Sequence, residues 1–167
     1  IGHYNNLNYL EYELFRNNKP IGYHKYYFKR ENDNLEIKSE VEFNITKLGV
    51  NIYKYKADSN EYYEKDKFLS FSAKTLQNKK EKYVNIKYQK DKNNLLIDGS
   101  SYKGDADINF IVGTWWNHEI IDAKAQISAV SGRIIHQKVN FLGKKQININ
   151  GKDYNALHYN FSSSDIN

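Results

Sequence analysis

The most unusual local chemistry in the sequence is Gly113-Thr114-Trp115-Trp116-Asn117. Successive side chains on an extended chain point to opposite faces, so two adjacent Trp cannot share a side. One is expected to cap a core while the other faces a groove or the opposite surface. Either a Trp plug closes the open end of a sheet, or the pair offers a stacking surface to a ligand. The next residues, His118-Glu119-Ile120-Ile121-Asp122, superficially resemble a zinc-protease helix. Such a helix needs His at i and i+4 with the Glu as base. Asp122 takes the second position here, and His3, His24, His136 and His158 lie elsewhere, so no metal site is expected.

Asp58 and Glu61 are candidates for a paired-carboxylate site. Nothing in the sequence sets a second acid opposite them, and cross-strand pairing with Lys is the expectation. Tyr23, Lys25, Tyr26, Tyr27, Lys29 and Arg30 mix rings with cations, as single-strand nucleic-acid platforms do. The Gly that an RNA-recognition signature needs is missing from Tyr26-Tyr27-Phe28. Other Lys, such as Lys79, Lys80, Lys144 and Lys145, sit at turns, so nucleic acid is not an expected partner. No phosphate loop, nucleophile elbow or Ser/His/Asp order stands out. The chain therefore reads as a non-enzyme with no catalytic residue and no cofactor. The glycosylation triplets Asn44-Ile45-Thr46 and Asn160-Phe161-Ser162 are expected by chance in so Asn-rich a chain.

The elements that must position these residues are strands. From Leu35 to Ile45, the apolar Leu35, Ile37, Val41, Phe43 and Ile45 alternate with Glu36, Lys38, Glu40, Glu42 and Asn44. That period of two gives one dry face and one charged face. Similar segments run over Tyr9–Phe15, Ile21–Arg30, Val50–Glu64, Phe68–Leu76, Lys82–Lys90, Leu95–Asp98, Ala123–Val130, Ile134–Leu142, Gln146–Asn150 and Tyr154–Phe161. Clusters of Asn, Asp, Lys and Gly close them, including expected turns at Gly143 and Gly151. The short connections imply antiparallel neighbours.

The composition agrees. A chain of 167 residues with one Pro and no Gly/Ser linker fits a single domain. Aromatic content is 15%, and the 15 Tyr outnumber 8 Phe and 2 Trp, which suits sheets with half-wet faces. No run of about 20 apolar residues is present, so no segment is expected to span a membrane. The net charge of +5 reflects a Lys-, Asn-, Ile- and Tyr-rich composition of the kind AT-rich coding produces. Residue 1 is Ile, and neither Met nor Cys occurs. A removed signal peptide or an incomplete chain would account for the first; the second is compatible with the periplasm.

A series of short motifs carries a resemblance. Asn18-Lys19-Pro20-Ile21-Gly22 comes first, then Thr46-Lys47-Leu48-Gly49-Val50 and Tyr53-Lys54-Tyr55. Glu61-Tyr62-Tyr63 follows, then Phe68-Leu69, Gly113-Thr114-Trp115-Trp116-Asn117 and Ser131-Gly132-Arg133. The series resembles the exported proteobacterial family Domain of Unknown Function 6134 and, more distantly, Domain of Unknown Function 3108, over most of residues 8–161. The resemblance implies a β-rich protein made with a signal peptide, located in the bacterial periplasm or secreted. It also implies a further hairpin beyond Phe161, so residues 1–167 are expected to be one β domain truncated at its C-terminus. It brings no activity and no catalytic residue.

The fold expected is all-β. It is a single strongly curled antiparallel meander, half-barrel or barrel (lipocalin-like or lipoprotein-carrier-like), with at most one short helix near Trp116–Asp122. So many strands would be strained if flat. A curled sheet would present an apolar face to a lipid or other apolar molecule, with Trp115, Trp116, Tyr53, Tyr55, Phe43 and Phe71 as ligand-binding candidates. Leu35, Ile37, Val41 and Ile86 share that face, and the same set serves equally as plain core. The alternative is an assembly protein that binds a protein partner, or itself, through the edge of the last strand, Tyr154–Phe161.

Overall fold

The computed structural model describes residues 6–164. His3 and the trailing Asp165 to Asn167 lie outside them. Eight strands follow in chain order: β1 (Tyr9–Arg16), β2 (Lys19–Glu31), β3 (Asn34–Lys47), β4 (Val50–Glu64), β5 (Lys67–Gln77), β6 (Lys80–Gln89), β7 (Asn94–Gly99) and β8 (Lys103–Ala106). They form one antiparallel meander in that same order. Two-residue turns join several of them, with positive φ at both positions in Asn17-Asn18, Leu48-Gly49 and Lys65-Asp66. Such turns twist the same way as the strands they connect. Asn and Asp adopt that conformation at little cost.

Alternation sorts the sheet into two faces. One is open and charged. The other carries the rows that build the core. Phe28, Ile37, Glu61, Phe71, Ile86 and Ile97 lie side by side across β2 to β7. The next row holds Tyr26, Ser39, Ser59, Ala73, Val84 and Gly99.

Residues 107–137 form a second layer over this face. They contain β9 (Ile111–Val112), a 3-10 turn at His118–Ile121, β10 (Ala125–Ile127) and β11 (Ile134–His136). β10 lies between its two neighbours, parallel to β9 and antiparallel to β11. Val112 and Ile127 pack into the cluster of Phe71, Val84, Ile86, Leu95 and Ile97. Trp116 completes a second cluster with Tyr26, Phe28, Leu35, Ile37 and Tyr63. Burying each large apolar side chain contributes roughly 1.5–3 kcal/mol.

The expected single, strongly curled or closed sheet is not what forms. β1 and β8 are both edges, and among the described residues no sheet closes. The reason lies in the inward side chains. Ser39, Ala57, Ser59 and Ala73 are too small to fill a barrel from within, and a second layer covers this face instead. The short helix expected at Trp116–Asp122 is the 3-10 turn, capped by Asn117, whose side chain accepts from the Glu119 N–H at 3.1 Å.

The last two strands, β12 (Lys138–Ile149) and β13 (Lys152–Ser162), form a separate hairpin around Asn150-Gly151. The turn expected at Gly143 is a bulge instead: the register slips between Phe141 and Gly143 while the strand continues. The segment read over Ile134–Leu142 is instead divided: Ile134–His136 is β11, and the remainder runs on through the bulge into the segment read at Gln146–Asn150 as one strand.

Two glycines set how closely the second layer sits. A Cβ on Gly99 would fall 2.4 Å from the Ser131 carbonyl oxygen, and one on Gly132 would fall 2.9 Å from Ile97 Cγ2. Gly132 also has φ +78°, as does Gly49, whose surroundings are empty. Gly49→Ala should therefore cost only the left-handed penalty, about 1–2 kcal/mol. Gly132→Ala should cost at least about 1 kcal/mol more, because the layers must separate. Urea denaturation of the two variants checks this; equal losses would contradict the close approach.

Candidate ligand-binding site

Between the two layers lies a cavity of about 470 Å³. Its floor is three rows of the sheet. Phe43 and Tyr55 form the outermost row, with rings stacked at 4.8 Å between centroids. His24, Val41 and Ala57 form the middle row, and Ser39, Ser59 and Ala73 the innermost. The hollow exists because four neighbouring inward positions are Ser or Ala, whereas the adjoining row carries Phe and Ile. Its roof is Gly113 to Trp115, parts of β10 and β11 with the turn between them, and the base of the last hairpin at Phe161.

None of the lining residues carries a formal charge, although 27% of the chain is Asp, Glu, Lys or Arg. Four of the polar lining groups are paired with one another. Ser39 and Ser59 share a hydrogen bond of 2.8 Å between hydroxyls. Gln126 Nε2 donates to Gln137 Oε1, whose own Nε2 donates to the carbonyls of Ile120 and Ala123. His24 differs. Its Nδ1 lies 3.4 Å from the Tyr26 hydroxyl, while its Nε2 is buried with no partner. Burial holds its pKa down at about 4, so the ring is neutral at neutral pH.

The roof is fastened by a buried carboxylate. Glu61 is 3% exposed and stands in the middle of the apolar row, opposite Ile37 and Phe71. The expected pairing with Lys is not made. Its partners are Trp116 Nε1 at 2.8 Å, the Tyr63 hydroxyl at 2.5 Å and Thr114 Oγ1 at 3.4 Å. Tyr26 adds a hydrogen bond from its hydroxyl to the Thr114 carbonyl. Asp58 lies on the other face, opposite Glu40 and Lys74, so the two acids do not form a pair. Desolvation raises the Glu61 pKa to about 7, against the lowering effect of Tyr63, Trp116 and Thr114. Burial, then the charge of Glu61, pushes the Tyr63 pKa well above its usual value.

The adjacent Trp divide as their alternation requires. Trp116 is 1% exposed, edge-on to Phe28 and Tyr63. Trp115, at φ +67°, turns outward, 59% exposed, and meets Phe161 edge-on at 5.5 Å. Of the six ligand-binding candidates, Trp115, Tyr55 and Phe43 line the cavity. Trp116 and Phe71 belong to the core, and Tyr53 packs beside Phe43 outside the lining. Sequence reasoning missed His24, Ser39 and Ser59 and expected Glu61 to pair with Lys. Alternation could have placed all four on the inward face: Ser59 and Glu61 with Tyr55, Ala57 and Tyr63 on β4, Ser39 with Ile37 and Val41 on β3, and His24 with Tyr26 and Phe28 on β2. Among the described residues, no group of three His, Cys, Asp or Glu could hold a metal, and no helix is long and apolar enough to cross a membrane.

Fold and site together define an open antiparallel meander with one capped face and a charge-free hollow beneath the cap. The profile of the family described as Domain of unknown function (DUF6134) matches residues 12–167, and the chain belongs to that family. No curated protein and no solved structure matches the chain.

Because its pKa is raised on folding, Glu61 favours the native state below about pH 4.5, and that contribution is lost as pH rises through about 7. His24, with a lowered pKa, works the other way between about pH 4 and 6.5. Comparison with Glu61→Gln cancels the His24 effect. Relative to that variant, the wild-type protein should lose about 2–3 kcal/mol of stability between pH 5 and pH 8. Parallel stability curves for the two would contradict a buried, titrating Glu61.

Proposed function

We propose that this protein binds a neutral apolar small molecule, such as a lipid, in the cavity between its sheet and its second layer. The observation that carries the reading is the charge-free wall in a chain rich in charge. The volume also fits, since small-molecule sites run about 300–1,000 Å³. Trp115 and Phe161 flank the entrance with exposed or half-exposed rings, where an amphiphile can slide in along apolar surface. On this reading the protein is a binding protein, not an enzyme. The buried acid with a raised pKa, Glu61, has its oxygens engaged by Tyr63, Trp116 and Thr114 and is not part of the cavity wall. Action in the bacterial periplasm or outside the cell belongs to the same reading, in keeping with the cysteine-free sequence. Recovery of the native protein from the cytosol alone would contradict it.

The test is titration with a neutral apolar fluorophore, N-phenyl-1-naphthylamine. It should bind saturably and quench tryptophan emission, and Trp115→Phe should remove most of the quenching. Ala57→Phe, which fills the floor, should weaken binding about tenfold or more by removing apolar contact area, with the fold intact. Equal binding to wild type and Ala57→Phe would place the probe elsewhere and contradict the reading.

The hairpin β12–β13 favours a second role, as a protein-binding edge. It is a two-stranded sheet by itself, a form only marginally stable in water. It exposes Phe141, Leu142, Ile147, Ile149, Tyr154 and Leu157. In the isolated monomer its amides should exchange with solvent far faster than those of β4 to β6. Protection equal to that of the central strands would show a hairpin that needs no partner.

A further inference from the structure

We propose that the end of the sheet carrying the β1–β2, β3–β4 and β5–β6 turns docks on an anionic lipid bilayer, with the tip of the β3–β4 hairpin inserted among the headgroups. The inference rests on the shape and charge of that end and not on the cavity, so either reading can fail alone.

Alternate turns of a meander fall at the same end. Gly22, Phe43, Tyr55 and Gln77 stand in one transverse line across β2 to β5. Beyond that line, among the described residues, β3 and β4 pair only with each other, from Asn44 opposite Lys54 to Lys47 opposite Val50. The result is a finger about 13 Å long, at roughly 3.3 Å per residue. Its tip is apolar: Leu48 is 95% exposed, Val50 64% and Ile52 53%. Leu48 also occupies a turn position with φ +50°. Asn or Gly suits such a position best, and the other positive-φ positions in the hairpin turns of the meander hold Asn, Asp, Lys or Gly. Neither the turn nor the core accounts for a Leu there.

The charge around the tip is of one sign. Residues 14–22, 43–55 and 76–80 make up this end, and they contain Arg16, Lys19, Lys47, Lys54, Lys79 and Lys80 with no Asp or Glu. Among the described residues none of these cations is ion-paired. The first acids met along β1, β3, β4 and β6 from this end are Glu13, Glu42, Asp58 and Glu81. The opposite end differs, with Glu31, Asp33, Glu64, Asp66 and Asp91 at its turns.

An apolar tip ringed by unpaired cations complements a membrane surface with anionic headgroups. Aliphatic side chains leave water for the acyl boundary, about 5–10 Å down, while the ammonium groups stay at phosphate depth. Each Lys or Arg near such a surface adds on the order of a fivefold gain in binding. A nucleic acid would use the cations but offers nothing to Leu48, Val50 or Ile52, where its binders place rings. The cavity floor ends at Phe43 and Tyr55, on the line from which the finger projects. A bilayer held there lies beside the outermost row of that floor.

Vesicle flotation tests the proposal. Vesicles of phosphatidylcholine with one-third phosphatidylglycerol should carry the protein upward, and vesicles of phosphatidylcholine alone should not. Raising NaCl to about 0.5 M should release it, because exposed charges are screened. Leu48→Asn, which suits the turn, should weaken binding about tenfold. The pair Lys47→Glu and Lys79→Glu should abolish it. The pair Lys65→Glu and Lys90→Glu makes the same charge change at the opposite end and should leave binding intact. Equal loss from the two pairs would show attraction by net charge alone and overturn the docking end. Unchanged binding of Leu48→Asn would overturn insertion of the tip. Folded protein that ignores the anionic vesicles but binds a single-stranded oligonucleotide through Lys47 and Lys79 would make this end a nucleic-acid site and overturn the proposal, as would binding to neither.

Discussion

One carboxylate, on Glu61, ties the two layers of this protein together. Placing an ion in an apolar row costs several kcal/mol in lost hydration. Here Ile37 and Phe71 flank it, and the compensation comes from Tyr63 on its own strand and from Trp116 and Thr114 on the opposing segment. The interaction is therefore directional. An apolar residue at position 61 could pack under many roofs, whereas a carboxylate accepts one arrangement of indole, phenol and hydroxyl. That arrangement drives Trp116 into the core and leaves Trp115 turned outward with a positive φ. The roof of the cavity is positioned by this buried chemistry a row away from the space it covers.

The cavity follows from two further constraints. The sheet stays open, so its apolar face is dried by a second layer, with Val112, Trp116 and Ile127 as the plugs. The layers come closest where Gly99 and Gly132 meet. Away from that contact, Ser39, Ala57, Ser59 and Ala73 leave the floor low, and the roof spans a gap instead of filling it. Large inward residues beside the hollow and small ones beneath it are thus a property of strand register, not of any motif.

Strand positions were plain in the sequence because a period of two survives in any strand with one buried face. Val50 to Glu64 reads as one strand from end to end, and Asn marks the turns. The second layer was not legible. β9 has two residues and β10 three, too short for periodicity, and their parallel pairing depends on a connection that only the folded chain defines. The barrel expectation failed for a related reason: strand number alone does not say whether a sheet closes or is covered. Glu61 was misread because an acid in a Lys-rich chain suggests a surface ion pair. The partner that explains it, Trp116, lies 55 residues away in sequence. The paired Trp did point to the right region. They could not show which ring was structural and which faced the cavity, since that is settled by the bond to Glu61.

The central claim is that the space beneath the roof holds a neutral apolar molecule. Native mass spectrometry of the protein purified from its own organism, without detergent, tests it most directly. The account predicts a mass shift from one bound molecule that organic extraction recovers as an uncharged amphiphile and that Ala57→Phe abolishes. A population carrying no adduct, still empty after incubation with neutral lipids, would contradict it.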